Sequence, residues 1–343
     1  MKIILDAMGG DNAPMEVIKG AIIAIEQAKI EVILTGKVEE ILRAFEELGY
    51  KDLPRGIEIV NATEVITMDD DPVISIRTKK DSSMIVGLNL LRDEKGDAFV
   101  SAGSTGALLT GATLIVKRVR GIRRAALAPY IPNSGNGILL IDCGANTECT
   151  PEYLLQFAFM GSYYVEGVLG QKNPRVGLLN NGSEVTKGTE LQLGTYRLLE
   201  KAAADGRINF VGNVEASGVM LAECDVLVCD GYTGNILLKG IEGTVKFFVS
   251  EIKKMFKQNP LSRISSLGVR FGLKNMKNKM SVERIGGTIL LGISKPVVKA
   301  HGSSNADAIF GAIRQAIAAL ESNVVGNIQK NIEFMKTDAE DDK

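Results

Sequence analysis

Short apolar runs alternate with amphipathic segments along almost the whole chain, and this alternation constrains the fold more than any other feature. The runs show no polar alternation, which is typical of strands that are buried on both faces of a parallel sheet. The predicted strands are 3–5, 31–35, 57–60, 98–101, 138–142, 175–179, 208–211 and 225–229. Helices are predicted at 14–28 and 38–48, and helical periods follow most of the other strands. The pattern indicates an α/β protein with three layers, α/β/α, around a mostly parallel sheet.

The length and composition are those of an intracellular globular protein. We expect one large domain over residues 1–330, followed by a flexible acidic tail over 331–343. The net charge of -1 gives no general attraction to nucleic acid. A single histidine excludes a three-histidine zinc site, and no apolar stretch is long enough to span a membrane. We therefore expect a cytoplasmic protein with no metal and reduced cysteines.

One segment, about 237–284, differs from the rest in charge. Between residues 244 and 284 there are ten lysines and arginines but only two acids, Glu251 and Glu283. Apolar residues at three- and four-residue steps from Leu237 to Phe256 predict an amphipathic helix, and Asn259-Pro260 should end it before a second helix. Such a basic helical pair, protruding from the domain, fits an acidic partner or an anionic membrane surface. An ordinary solvated face with a dimer contact fits equally well.

Several predicted strands are followed by loops of one composition, rich in glycine, serine, threonine and asparagine. These loops are 6–12, 101–106, 142–147, 230–235 and 301–305. Backbone N–H groups at the start of a helix bind phosphate well, although any single loop is explained equally by helix capping. In open α/β sheets such loops collect at the carboxyl ends of the strands. We therefore expect them to converge at one edge of the sheet on a small anion.

Motifs for other chemistries are missing. The sequence contains no P-loop, no dinucleotide-binding glycine fingerprint after a strand and no nucleophile elbow of a serine hydrolase. Lys187 opens a predicted helix and could hold an anion, or be a plain surface lysine. His301 could transfer a proton or bond within its turn. Cys143 and Cys149 could in principle form a thioester, but no base lies near them in sequence.

Taken together, the loops resemble those of a known family. The matching blocks are DAMGGDNAP at 6–14, SAGSTGALLT at 101–110, IDCGANTECTPEYLLQFAFMG at 141–161, VGLLNNG and KGTEL within 176–191, FVGNVEA at 210–216, CDGYTGNILLK at 229–239 and AHGSSNADAI at 300–309. In order and spacing they are similar to the phosphate acyltransferases of phospholipid synthesis (the PlsX family), over residues 1 to about 325. Departures are Asn12, where the family often has histidine, and Cys143 and Cys149, where it often has other small residues.

The resemblance implies a fold like that of the isocitrate and isopropylmalate dehydrogenases and the phosphotransacetylases. It implies a transfer of a fatty acyl group from acyl-carrier protein to inorganic phosphate, which gives acyl phosphate and free carrier without a cofactor. It further implies a homodimer, peripheral association with the membrane, and use of the product by a membrane glycerol-3-phosphate acyltransferase. The carrier is acidic, so the basic segment has two candidate targets, carrier and lipid.

On this hypothesis phosphate attacks the thioester carbonyl directly. We expect Lys187 to counter the phosphate charge, Asn235 to donate to phosphate or to the oxyanion, and His301 to carry a proton or anchor its loop. Further candidates for contact with phosphate or the acyl carbonyl are Ser104, Thr105, Asn146, Glu190, Asp230, Thr233 and Ser303. Two alternatives are a β-decarboxylating dehydrogenase, which needs a cluster of aspartates that we do not find, and a non-enzymatic membrane-docking protein.

Overall fold

A single sheet of eleven strands runs through the protein in the order β3-β2-β1-β4-β11-β10-β5-β6-β9-β7-β8. The computed structural model describes residues 1–257, 272 and 287–336. The strands are β1 (Lys2–Asp6), β2 (Glu31–Gly36), β3 (Ile57–Asn61), β4 (Ala98–Ser101), β5 (Ala126–Ile131), β6 (Ile138–Ile141), β7 (Arg175–Asn180), β8 (Asn209–Glu215), β9 (Val226–Val228), β10 (Thr288–Leu291) and β11 (Val297–Lys299).

Helices cover both faces of the sheet. The α-helices are α1 (Met15–Ala28), α2 (Val38–Glu47), α3 (Pro72–Thr78), α4 (Ser83–Arg92), α5 (Thr105–Gly111), α6 (Pro151–Leu169), α7 (Glu190–Ala204), α8 (Gly231–Lys257), α9 (Ala306–Glu321) and α10 (Val324–Lys330). A π-helix (Ala112–Val116) and two 3-10 helices (Ala216–Leu221 and Ile332–Met335) complete them. One buried cluster of side chains lies on each face of the sheet, so the predicted three-layer α/β/α class is confirmed. None of the helices within the described ranges is both long and apolar enough to cross a membrane.

The direction of the strands changes at the centre of the sheet. The pairs β10–β11, β10–β5 and β5–β6 are antiparallel, and the other neighbouring pairs are parallel. As a result β1–β5 and β11 run one way, and β6–β10 run the other way. The carboxyl ends of β1, β4 and β11 therefore lie at one edge of the sheet, which we call edge I (loops 6–12, 101–106 and 300–305). The carboxyl ends of β6, β7 and β9 lie at the opposite edge, edge II (loops 142–150, 180–189 and 230–235).

The expectation that all the glycine-rich loops meet at one edge is therefore wrong. It assumed that every strand is parallel, whereas the antiparallel pairs at β5 and β10 divide the loops into two sets. Within each set, backbone hydrogen bonds join neighbouring loops. At edge I the Asp11 N–H donates to the Gly302 carbonyl at 2.8 Å, and at edge II the Gly231 N–H donates to the Asn146 carbonyl at 2.7 Å.

The strands that the sequence did not predict are β5, β10 and β11. Pro129 interrupts the apolar run of β5, and proline argues against a central strand because it cannot donate to the ladder. β10 and β11 have only four and three residues, too short for a pattern of their own. These strands form because partners on both sides bind their backbones, which a local sequence pattern does not record.

One boundary differs from the expectation, and one predicted helix falls outside the described residues. The tail was predicted to begin at residue 331, but Met335 is buried, and the Phe334 carbonyl accepts a hydrogen bond from Arg207 at 2.9 Å. Packing on the core therefore continues to about residue 336, and residues 337–343 lie outside the described part. The predicted amphipathic helix is present as α8, but the second helix of the protrusion falls on residues 258–286, which also lie outside it. The division into domains stays a prediction.

Candidate functional site

Edge II is organised by one buried carboxylate, that of Asp142. It follows β6 and accepts backbone N–H groups from Leu127 at 2.8 Å, Cys143 at 2.7 Å and Asn146 at 2.7 Å. Burial raises the pKa of Asp142, and the hydrogen bonds from Asn146 and Leu127 oppose that rise. The loop 142–147 is thus wrapped around an acceptor that no solvent reaches.

Three of the predicted substrate ligands are engaged within this scaffold. The Asn146 amide donates to the Ala125 carbonyl at 2.8 Å and to Asp142 at 3.0 Å, so both of its hydrogens are used. Asp230 caps α8 by accepting the Thr233 N–H at 2.8 Å and the Thr233 hydroxyl at 2.7 Å. In this structure Asn146 holds its own loop to Asp142 and Ala125, and Asp230 and Thr233 hold the first turn of α8. Their contact with substrate stays a prediction.

A glycine brings Asn235 up to this scaffold. A Cβ added at Gly234 would collide with the Asp142 carbonyl oxygen and lie 2.8 Å from the Cys229 sulfur, so only glycine allows the first turn of α8 to pack so closely. Asn235 is the next residue, and its side chain lies 3.8 Å from the position of a Cβ on Gly144. The close packing therefore presents an exposed amide at the mouth of edge II.

Lys187 lies at the same edge, on the loop that follows β7. The Lys187 N–H donates to the Glu184 carbonyl at 3.1 Å, and the Lys187 carbonyl accepts from Asn180 at 3.1 Å, which closes the loop. The Lys187 and Asn235 side chains are both exposed, and neither has a hydrogen bond or ion pair with another residue of the described part. β7 and β9 are neighbouring strands, so the structure brings these two predicted residues to adjacent loops. Glu190 is exposed in the first turn of α7.

Edge I holds the other predicted residues. Ser104 caps α5, accepting the Ala107 N–H, and Thr105 is exposed beside it. The Ser303 N–H donates to His301 Nδ1 at 3.2 Å, and the Ser303 hydroxyl lies 2.9 Å from the same nitrogen. Because an N–H can only donate, Nδ1 is the acceptor and the neutral ring keeps its proton on Nε2. The Asn12 amide donates to the Ser303 carbonyl at 3.3 Å, which ties the first loop to the last.

Edge I also contains a buried charged pair, Asp6 and Lys299, that was not predicted from the sequence. Asp6, the last residue of β1, accepts the Ser101 hydroxyl at 2.7 Å, and burial raises its pKa. Lys299, the last residue of β11, is 8% exposed, and its ammonium donates to the Ala102 carbonyl at 3.2 Å. The available signal was a lysine that ends an apolar run, Val297-Val298-Lys299. It was missed because β11 itself was missed.

The cysteines are not placed for nucleophilic catalysis. Burial, together with a smaller effect of the neighbouring Asp142 carboxylate, raises the pKa of Cys143 and of Cys149 to about 12. At neutral pH the thiols are protonated and therefore poor nucleophiles. Within the described ranges, His, Cys, Asp and Glu side chains form no group of three or more that could hold a metal ion.

Comparison with known proteins places the chain in a family. A family model described as "Fatty acid synthesis protein" matches residues 1–327. The chain is 43% identical over 338 residues to a phosphate acyltransferase of Thermoanaerobacterium thermosaccharolyticum, covering 98% of each chain. It is 45% identical over 335 residues to a phosphate acyltransferase of Brevibacillus brevis, covering 97% of this chain and 98% of the relative.

Solved structures of low sequence identity share the fold. A phosphotransacetylase from Streptococcus pyogenes aligns with a TM-score of 0.61 at 18% identity, over 95% of this chain and 94% of that one. A 4-hydroxythreonine-4-phosphate dehydrogenase from Klebsiella pneumoniae aligns with a TM-score of 0.52 at 12% identity, over 95% and 99%. The predicted similarity of fold to phosphotransacetylases and to dehydrogenases is confirmed. With nearly full-length relatives above 40% identity, the chain belongs to the phosphate acyltransferase family and is an acyltransferase.

Proposed function

We propose that this enzyme transfers a fatty acyl group from the thioester of acyl-carrier protein to inorganic phosphate and so supplies phospholipid synthesis. The observation that carries the proposal is the pair at edge II. The structure places an unpaired ammonium, Lys187, and an unpaired amide, Asn235, on the loops of neighbouring strands. An anion and a developing oxyanion need this combination of charge and directed donor.

In the reaction a phosphate oxygen attacks the carbonyl carbon of the thioester. A C–O bond forms, and the carbonyl electrons move to oxygen to give a tetrahedral oxyanion. When the carbonyl re-forms, the C–S bond breaks and its electron pair leaves on the carrier sulfur, which then takes up a proton. Lys187 offsets the charge of the phosphate, and Asn235 donates to the oxyanion. Holding both reactants in place contributes on the order of 7–11 kcal/mol in favourable cases.

The cysteines take no part in this scheme, because burial keeps their pKa high. Transfer is therefore direct, without an acyl-enzyme on sulfur. His301 acts at edge I through its loop, since Nδ1 is occupied by Ser303 and only Nε2–H is left to donate. The side chains of Ser104, Thr105 and Ser303 lie at the same edge as His301, opposite the edge that carries Lys187 and Asn235.

For the partners we propose acyl-carrier protein, a second copy of this chain, and the membrane surface, where a glycerol-3-phosphate acyltransferase takes the product. The exposed side chains of α8 support this. Lys246, Lys253 and Lys254 suit an acidic carrier or anionic lipid. Its exposed apolar side chains suit a dimer contact or a membrane face; they are Tyr232, Ile236, Phe247, Phe248 and Met255.

One assay tests the function. The purified protein is incubated with palmitoyl-acyl-carrier protein and phosphate, and acyl phosphate is trapped with hydroxylamine while free carrier thiol is titrated. We expect both products in equal amounts and only when phosphate is present. Thiol release that does not depend on phosphate would contradict the proposal. Salt-sensitive liposome binding with no turnover would instead favour a membrane-docking protein.

A further inference from the structure

The buried ammonium of Lys299 is the feature of edge I that the proposed chemistry leaves unexplained. Lysine is rarely buried to this extent without a specific partner, and Lys299 is only 8% exposed. Its Nζ donates to the main-chain carbonyl of Ala102 at 3.2 Å and to that of Ala300. The first carbonyl belongs to the loop after β4, and the second to the loop after β11.

These two carbonyls lie next to the exposed polar groups of the edge. Ala102 is two residues before Ser104, which caps α5, and Ala300 directly precedes His301. The third loop joins through Asp6, which holds the Ser101 hydroxyl, and the Gly103 N–H in turn donates to that hydroxyl oxygen at 3.0 Å. The buried cation therefore connects the loops after β4 and β11, and Asp6 connects the loop after β1 to the loop after β4.

Opposing effects set the pKa of Lys299. Burial lowers its pKa to about 8, while Asp6 on β1 and Asp11 on the following loop raise it. The neighbouring strands β4 and β10 place only Ser101 and Thr288 opposite it, and Asp307 on α9 is exposed to solvent. Lys299 is thus charged at neutral pH and loses its proton in a mildly alkaline range.

A second observation points to a ligand at the same loops. Ser304 is 7% exposed, yet its hydroxyl has no hydrogen-bond partner in the described part of the chain. Buried hydroxyls in native proteins are nearly always paired, so an unpaired one next to the exposed Ser303 indicates a missing acceptor or donor. A phosphate group offers acceptors for hydroxyls and backbone N–H groups alike.

We propose that Lys299 is a positioning residue, whose ammonium holds the Ala102 and Ala300 carbonyls so that the loops of edge I bind a phosphate group. This rests on the proposed function. The group is either free inorganic phosphate or the phosphodiester of the prosthetic arm of the carrier. Without the ammonium the two carbonyls lose their shared donor, and the loops that carry Ser104 and His301–Ser303 lose their fixed spacing.

The test compares Lys299→Met with a matched control, Lys295→Met, which removes the half-buried lysine of the same β10–β11 connection, whose ammonium pairs with the exposed Glu94 at 3.2 Å. KM for inorganic phosphate, KM for acyl-carrier protein and kcat are measured from pH 7 to 9. We expect Lys299→Met to raise one KM roughly tenfold at pH 7, with kcat changed far less. A rise in the acyl-carrier KM alone identifies the phosphodiester and leaves inorganic phosphate beside Lys187 at edge II. A rise in the phosphate KM identifies the free ion and would move the phosphate site from Lys187 to edge I. In the wild type the affected KM should climb through pH 8, and in Lys299→Met it should not show this step.

A double variant separates a loss of phosphate binding from a loss of stability. Asp6→Asn combined with Lys299→Met removes both charges, so it should unfold at a higher temperature than Lys299→Met and show the same rise in KM. If both KM values and the pH profile match the wild type while only the melting temperature falls, the lysine is purely structural and the inference is overturned.

Hydrogen exchange separates this inference from the proposed function. If the wild type shows no phosphate-dependent turnover, the proposed function fails. The role of Lys299 is then tested by whether the bound ligand slows the hydrogen exchange of backbone amides at edge I. We expect inorganic phosphate, or the carrier protein with its prosthetic arm where the group is the phosphodiester, to slow exchange at 103–106 and 301–305 in the wild type and much less in Lys299→Met. Equal protection in both proteins, or none in either, would overturn the role of Lys299.

Discussion

Edges I and II each contain a buried carboxylate, and they satisfy it with different groups. Each has one buried carboxylate at the end of a strand, Asp6 at edge I and Asp142 at edge II, and burial raises the pKa of both. Asp142 is satisfied by backbone N–H groups of its own loop and by Asn146. Asp6 accepts the Ser101 hydroxyl and the Met8 N–H, the Ser83 hydroxyl also lowers its pKa, and the nearby charge of Lys299 lowers it least.

The difference decides what each edge responds to. Backbone amides do not titrate, so the loops of edge II keep their shape as long as the chain is folded. A lysine with a pKa of about 8 titrates in the mildly alkaline range, so we expect the arrangement of edge I to depend on pH. On this view edge II supplies a rigid frame for Lys187 and Asn235, and edge I, at the opposite edge of the sheet, is adjustable.

The largest effect should come from the cation at edge II. Lys187→Ala removes the charge that offsets the phosphate, and we expect kcat/KM for phosphate to fall by about 10²–10³ with an unchanged melting temperature. Lys172→Ala, at an exposed lysine before β7, is the matched control and should behave as wild type. Near-normal transfer by Lys187→Ala would remove edge II from the mechanism.

The carboxylate of edge II should matter most for stability. In Asp142→Asn a side-chain N–H₂ replaces an oxygen that accepts backbone N–H groups, so buried donors face each other. We expect a loss of about 2–4 kcal/mol in the free energy of unfolding, measured by urea denaturation at pH 7. A change below about 0.5 kcal/mol, within the range of ordinary surface substitutions, would show that the loop has another support.

The carboxylate of edge I should matter less, and its effect should depend on pH. Asp6→Asn removes a charge that raises the pKa of Lys299, so that pKa falls further below its value in the unfolded chain. Below the folded pKa, keeping Lys299 charged in the core then costs about 1–3 kcal/mol more than in wild type. As pH rises above 8 toward 10.5, Lys299 is neutral in the folded protein and the loss shrinks.

Urea denaturation of Asp6→Asn and wild type at pH 7 and pH 9.5 checks this sign. Asp142→Asn serves as the comparison, because Asp142 is held by backbone N–H groups and the Asn146 amide, which do not titrate, so its loss of stability should be the same at both pH values. A loss for Asp6→Asn that grows with pH would contradict the assigned link between Asp6 and Lys299.

The smallest effect should come from the thiol at edge II. Cys149→Ala leaves the acceptor groups of Asp142 untouched, and we expect turnover within about twofold of wild type, since a thiol with a pKa of about 12 is protonated and poorly nucleophilic. Alkylation by iodoacetamide at pH 7.5 should accordingly be slow. Loss of most activity in Cys149→Ala would contradict direct transfer and favour a mechanism with an acyl-enzyme on sulfur.

Much of this architecture was predictable because its signals are local. The strands from β1 to β4 and from β6 to β9 are buried apolar runs, and the loops after them carry capping residues and glycines. Lys187 and Asn235 were found in the same way, as a lysine and an amide at the starts of helices. The resemblance to phosphate acyltransferases rested on the same loops, and the comparisons confirm it.

Strand direction and the burial of Lys299 could not be predicted from local signals. β5, β10 and β11 are short or interrupted by proline, and their direction follows from backbone hydrogen bonds to strands far away in the chain. With that direction unknown, five similar loops appeared to share one edge. Lys299 likewise appears from its neighbours in sequence to be an ordinary lysine at the end of a strand.

The sequence by itself determined which segments are buried, which loops carry polar groups and which family the chain belongs to, because burial and capping leave local patterns. Only the tertiary structure decided that the loops form two sets at opposite edges, and that one set is held by a buried ammonium. The reason is that strand pairing and desolvation arise between residues distant in the chain, so neither leaves a mark in the local order of amino acids.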